Sequence, residues 1–304
     1  MISPADAVAP APGSPDRRSP IARRLMRDLF LGLAIGFVAL RLAGVEPWVQ
    51  SVDAFAYWTT RSGDPYAASG VGALGAYLYS PAFAQALIPF VWLPFTVFVS
   101  LWTVLNIGAL VLLVRRWALV WLLFLPVPFE IVSGNVHLLI AVVVAFGFRY
   151  PALWSFVLLT KVTPGIGLIW FAVRREWRSL GLALGVTVVI AGVSLVLAPG
   201  QWSAWIASLT ANASGPAGTV GWYLPVPLLV RLPIAAVIVA WGGLTDRRWT
   251  VPVAVTLALP VVWLNGLAVL VALGPVLSGR RAVGRTAPLP AHVSRGESEP
   301  GVPA

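Results

Sequence analysis

Between Leu29 and Ser278 the chain is a succession of apolar runs, and this most limits what it can become. Mean hydropathy is +0.86. Hydrophobic residues make up 59% and charged residues 11%, against about half and about a quarter in soluble domains. The runs are continuous rather than alternating, which argues against a β-barrel. They predict an all-α polytopic membrane protein.

One stretch breaks the pattern early. Residues 51–81, SVDAFAYWTTRSGDPYAASGVGALGAYLYSP, carry Asp53, Asp64, Arg61 and four tyrosines. A charged group at mid-helix in hydrocarbon costs roughly 2.5–3.5 kcal/mol even on the lenient insertion scale. The stretch is therefore expected to be a loop on one membrane face.

The formal net charge is +10, but the arginines fall in short clusters between apolar runs. That is the positive-inside pattern, not a nucleic-acid footprint. No cysteine is present, so disulfides and thiol chemistry are excluded. Two histidines and scattered acids offer no obvious zinc or iron cluster. No cofactor is expected, and nothing demands a divalent metal.

The charge pattern orders the runs. Residues 1–28 are expected to be a disordered cytoplasmic tail, with five prolines in the first twenty residues and then Arg23, Arg24 and Arg27. An uncleaved first span follows, to Val45, because Arg41 interrupts the place for a cleavage site. The loop 46–80 then faces outward. Residues 81–93 are too short for a core of about 30 Å and are expected to be re-entrant or interfacial. A span over 96–114 ends inside at Arg115 and Arg116. Four short runs follow, 117–128, 136–148, 151–160 and 164–173, which place Glu130, Ser133, Asn135 and Lys161 on the outer side. Residues 181–198 cross outward, 199–224 form a second outer loop, and 228–244 return. A hairpin of 251–264 and 267–277 turns at Asn265 and Gly266, before a disordered tail at 279–304. About ten spans thus form one transmembrane domain, 29–278, with both termini cytoplasmic. Trp48, Trp117, Trp202 and Trp249 fall where interfacial belts lie. Short runs with polar breaks imply an outward-open polar cavity, since bare backbone survives at depth only where protein or water covers it.

Several polar residues could carry chemistry there. Asp53 is either a functional carboxylate or the N-cap of an amphipathic segment containing Tyr57 and Trp58. Asp64 in SGDPY has turn chemistry. Lys161, the single lysine, is either a working cation at membrane depth or a side chain reaching the headgroups. Asn135 and His137 in SGNVHLL line a cavity or bond helix to helix. Arg231 lies one turn inside a span, where phosphate or lipid headgroups would suit it equally. Asn212-Ala213-Ser214 matches a glycosylation acceptor, a pattern common by chance.

The order of DAFAYW, GDPY, YLYSP, SGNVHLL and TKVTPG, over about residues 29–266, resembles glycosyltransferase family 87. The late element LPVVWLNG keeps Pro260 and Trp263 but has Asn265 and Gly266 where that family shows a histidine pair. The resemblance implies a GT-C-like bundle with an outward-facing cavity. It implies an inverting transfer of a sugar, mannose foremost, from a polyprenyl-phosphate donor to a glycolipid or polysaccharide acceptor among the membrane lipids. Asp53 would be the catalytic base. Lys161, Arg61 and Arg231 would be the cations for the departing phosphate. Tyr57, Tyr79, Asn135, His137 and Asn265 would complete the substrate site. Two other outcomes stay open: a degenerate member acting as an assembly partner, and a lipid or solute transporter.

Overall fold

The computed structural model describes residues 20–44, 51–67, 70–213 and 224–283. Most of both expected tails, Trp48, Ser214 and the centre of the second loop lie outside the described residues. Among those described, the regular elements are helical, with no β-strand.

Helix α1 (Pro20–Leu42) starts nine residues before the expected span. Proline suits a first helical turn, whose N–H groups have no intrahelical partner, and the helix-forming residues Arg23 to Arg27 follow directly. The short α2 (Val52–Trp58) buries Ala54, Ala56 and Tyr57 against neighbouring helices instead of lying on a surface. Next come α3 (Pro81–Val91), α4 (Phe95–Val114) and the four-residue α5 (Ala118–Trp121). Residues 117–128 are therefore not one span.

The centre of the molecule is a sharp bend. Helix α6 (Pro126–Ser133) ends at Gly134 in the left-handed region, φ 71°. Helix α7 (His137–Phe146) leaves at 116° to it. Then follow α8 (Trp154–Thr160) and α9 (Ile169–Val173), α9 entered through a 3₁₀ turn over 163–168. The long α10 (Trp177–Leu197) precedes α11 (Pro199–Ala213), α12 (Leu228–Leu244), α13 (Thr250–Leu257) and α14 (Leu273–Val283).

The expected hairpin turn at Asn265 and Gly266 is displaced. The chain reverses between Leu257 and Trp263, and residues 264–272 form a 3₁₀ helix that contains both. The cause is Arg231, whose guanidinium donates to the carbonyls of Leu257, Leu259 (2.8 Å) and Pro260 (3.0 Å). Those carbonyls have lost helical partners, and the cation satisfies them.

Residues 264–272 pack closely on α6 and α7, so the core lies where the bend meets this segment. Leu138, Ile140, Val144, Leu259 and Val269 are fully buried there. The outside is the reverse of a soluble protein. On α10 only Ala183 and Ser194 are buried, and Val196 is 83% exposed. An apolar outer face of that extent is what a helix in contact with lipid presents. By length and composition, 95–121 and 177–197 are long and apolar enough to cross a membrane, and the α6–α7 pair would make a third. That is fewer than the ten expected, because the other apolar helices are short.

Candidate active site

The bend and α2 assemble one polar cluster. Ser51, at the N-cap of α2, makes no cap with its side chain. Its hydroxyl donates instead to the Val132 carbonyl at 2.8 Å, and Arg41 donates to the same carbonyl at 2.9 Å and contacts Ser51. These bonds fix the start of α2 to the end of α6. Asp53 follows in the first turn of α2. The capping position belongs to Ser51, so Asp53 is not the N-cap.

Gly134 permits the approach. A Cβ there would stand 2.8 Å from the Cβ of fully buried Ala54. With the bend this close, the Asn135 side chain comes near enough to Asp53 to favour its charged form.

Asn135 is oriented by two donors. Its Oδ1 accepts the Val136 amide at 2.8 Å and the Tyr79 hydroxyl at 3.1 Å. Tyr79 in turn accepts the Tyr57 hydroxyl at 2.9 Å. With the oxygen occupied, the amide NH₂ is the end left to face Asp53. Lys161 lies where α8 gives way to extended backbone, and its Nζ is 5.0 Å from the Tyr79 ring centre.

Asp53 is half-buried. Desolvation is the largest influence on its carboxyl and raises its proton affinity above the ordinary carboxylate range. Lys161 opposes most strongly, Glu130 reinforces the rise, and the Asn135 side chain opposes it. The cluster thus couples a carboxyl of raised basicity to a nearby cation.

Glu130 is the residue that sequence reasoning left out of the site. It and His137 are fully buried, with Nδ1 of His137 at 2.8 Å from Oε2 and the His137 amide donating to Oε1 at 2.5 Å. One signal was available: Glu130 is the only acid between Asp64 and Glu176. Asn265 joins through Ser133, donating to its hydroxyl at 3.0 Å, while Ser133 donates to the Glu130 carbonyl at 3.2 Å.

Two expected members have other partners. Arg61 is exposed and stacks 3.6 Å from the Trp58 ring centre. Arg231 is buried and gives its guanidinium to backbone, including the Val226 carbonyl at 2.7 Å. Asp64 makes the expected turn, accepting the Tyr66 amide at 2.9 Å. Among the described residues no group of three or more His, Cys, Asp or Glu could hold a metal ion. A cleft of about 700 Å³ lies elsewhere, lined by Leu113, Arg115, Arg116, Trp117, Trp121 and Ser278 among others. It shares no residue with the cluster.

The profile of glycosyltransferase family 87 matches residues 77–286. No curated protein matches the chain, and no solved structure does. The match takes in Tyr79, Glu130, Asn135, His137, Lys161, Arg231 and Asn265, and begins after Asp53 and Tyr57.

Proposed function

The chain belongs to glycosyltransferase family 87, and on that premise we propose that it moves a sugar, mannose foremost, from a polyprenyl-phosphate donor to a glycolipid or polysaccharide acceptor at the outer face of a cell membrane. The observation that carries this is the coupling of Asp53 to Asn135, Tyr79 and Lys161 in one cluster.

In the proposed reaction the acceptor hydroxyl attacks the anomeric carbon from the face opposite the phosphate. Asp53 takes the hydroxyl proton, a general-base contribution of about 10²–10⁴-fold. A new C–O bond forms as the anomeric C–O bond to phosphate breaks, and the configuration inverts. The electron pair leaves with polyprenyl phosphate, an adequate leaving group without a general acid. Lys161 stands beside the charge that grows there and lowers the barrier electrostatically. Asn135 and Tyr79 hold Asp53 and the edge of the site in register.

The arginine clusters give the orientation of the proposal. Arg115 and Arg116 end α4, while Arg174, Arg175, Arg247 and Arg248 flank α9 and α13. With these inside, both termini are cytoplasmic and the cluster opens outward beneath the loop 46–80. The ten-span, single-domain topology with an outer cavity belongs to this proposal.

The test incubates purified protein in lipid with a panel of polyprenyl-phosphate sugars and follows release of polyprenyl phosphate. Release with one donor supports the proposal. Donor binding without release from any of them would instead assign a non-catalytic scaffold.

A further inference from the structure

The bend that presents Asn135 is closed by a fully buried pair, Glu130 and His137. Resting on the reading of Asp53 as the base, we propose that Glu130 is a positioning residue for Asp53: its carboxylate locks the bend through His137 and stands as a fixed negative charge behind the cluster.

The geometry supplies both halves. Glu130 binds two nitrogens of one residue, the His137 amide through Oε1 and the Nδ1 ring atom through Oε2. His137 opens α7, so the carboxylate also meets the positive end of that helix. This clamp spans Gly134 and Asn135. It therefore fixes the side chain whose oxygen is taken by Tyr79 and Val136 and whose other end meets Asp53.

The charge follows from the other ring nitrogen. Nε2 of His137 is buried without a hydrogen-bond partner. Gly266 lies beside it, since a Cβ there would stand 3.8 Å from Nε2 and 2.9 Å from Cδ1 of Leu259. An N–H at that place would be an orphaned donor, rarer in proteins than an under-satisfied acceptor. The proton therefore sits on Nδ1, and Glu130 accepts twice as a carboxylate.

Few other charges face the pair. Helix α2 brings Asp53 and Tyr57; Lys161 and Tyr79 complete the cluster, and Arg41 reaches the end of α6 at Val132. Helices α4, α8 and α13 and the segment 264–272 carry no ionisable side chain. Glu130 is the only charged residue on α6, and its influence on Asp53 runs against that of Lys161.

Two measurements decide the matter. The chain has two histidines, so His292→Gln leaves His137 as the single one. In the full chain in lipid discs, ¹⁵N-labelled histidine is expected to show Nδ1 protonated and Nε2 bare. A bare Nδ1 would make Glu130 the donor and remove its charge; protonation of both nitrogens would neutralise the pair. Either overturns the proposal. In Glu130→Gln the acidic limb of polyprenyl-phosphate release is expected to move to lower pH, with a reduced maximum. A merely structural clamp would lower the maximum and leave the limb in place, which also overturns it. If the parent protein releases nothing from any donor, the catalytic reading fails, and the histidine spectrum still decides the state of the pair.

Discussion

Lys161 holds its Nζ 5.0 Å from the centre of the Tyr79 ring, the ring whose hydroxyl donates to Asn135. The cation faces the cluster instead of reaching along the outside of the helix. A charge-assisted contact to phosphate is worth about 1.5–3 kcal/mol. Lys161→Met is therefore expected to weaken binding of polyprenyl-phosphate mannose about ten- to a hundredfold, with Lys161→Arg keeping part of it. Titration of each variant in lipid discs is the check. Equal affinity in the Met variant would return Lys161 to a headgroup-reaching role.

Arg231 predicts the opposite pattern. Its guanidinium serves the carbonyls of Val226, Leu257, Leu259 and Pro260. Arg231→Met leaves those acceptors without a donor, and stability should fall by about 2–3 kcal/mol. Donor affinity of the folded fraction should be unchanged. A large loss of affinity with an unchanged melting point would put Arg231 in the substrate site.

Gly134 tests the closeness of α2 to the bend. Gly134→Ala places a Cβ in the left-handed region, costing about 1–2 kcal/mol, and sets it 2.8 Å from the Ala54 Cβ. Thermal melting should show a clear loss, partly restored by adding Ala54→Gly. Full additivity of the two changes would mean that the contact is not what Gly134 relieves.

The sequence made the membrane class and the identity of most cluster members legible. Asp53, Asn135 and Lys161 stand out because polar groups are costly in an apolar chain, whereas Tyr57 and Tyr79 enter the site only through the resemblance of DAFAYW and YLYSP to the family's motifs. Three things were hidden. Ser51 looked like an ordinary loop serine, yet it takes the N-cap position that Asp53 was a candidate for. Glu130 and His137 sit seven residues apart, and only the left-handed turn at Gly134 folds one onto the other. Arg231 reads from the sequence as suited equally to phosphate or lipid headgroups, because the reversal at 257–263 that consumes it is a tertiary event with no local signature. Helix ends are also illegible where a 3₁₀ segment continues an apolar run, as at 264–272.

Orientation can be tested without any substrate. The chain has no native cysteine. Ser62 and Ser278 are both exposed. In intact cells Ser62→Cys should react with a membrane-impermeant thiol reagent and Ser278→Cys should not. The reverse pattern would turn the proposed topology over and place the cluster on the cytoplasmic side.

Asp53 carries the central claim. Burial raises its proton affinity above the ordinary carboxylate value of about 3.9. The folded protein therefore binds this proton more tightly than the unfolded chain. Stability then falls as pH rises from about 3.9 through the folded value. Asp53→Asn lacks that loss, so it should melt at least as high as the parent at neutral pH. It keeps the size of the side chain but cannot take a proton. The deciding measurement is polyprenyl-phosphate release by Asp53→Asn in lipid, alongside donor binding by the same preparation. We predict donor affinity close to the parent's and release reduced at least about a hundredfold. Release within a few-fold of the parent's, with donor still bound, would contradict the assignment of Asp53 as the base.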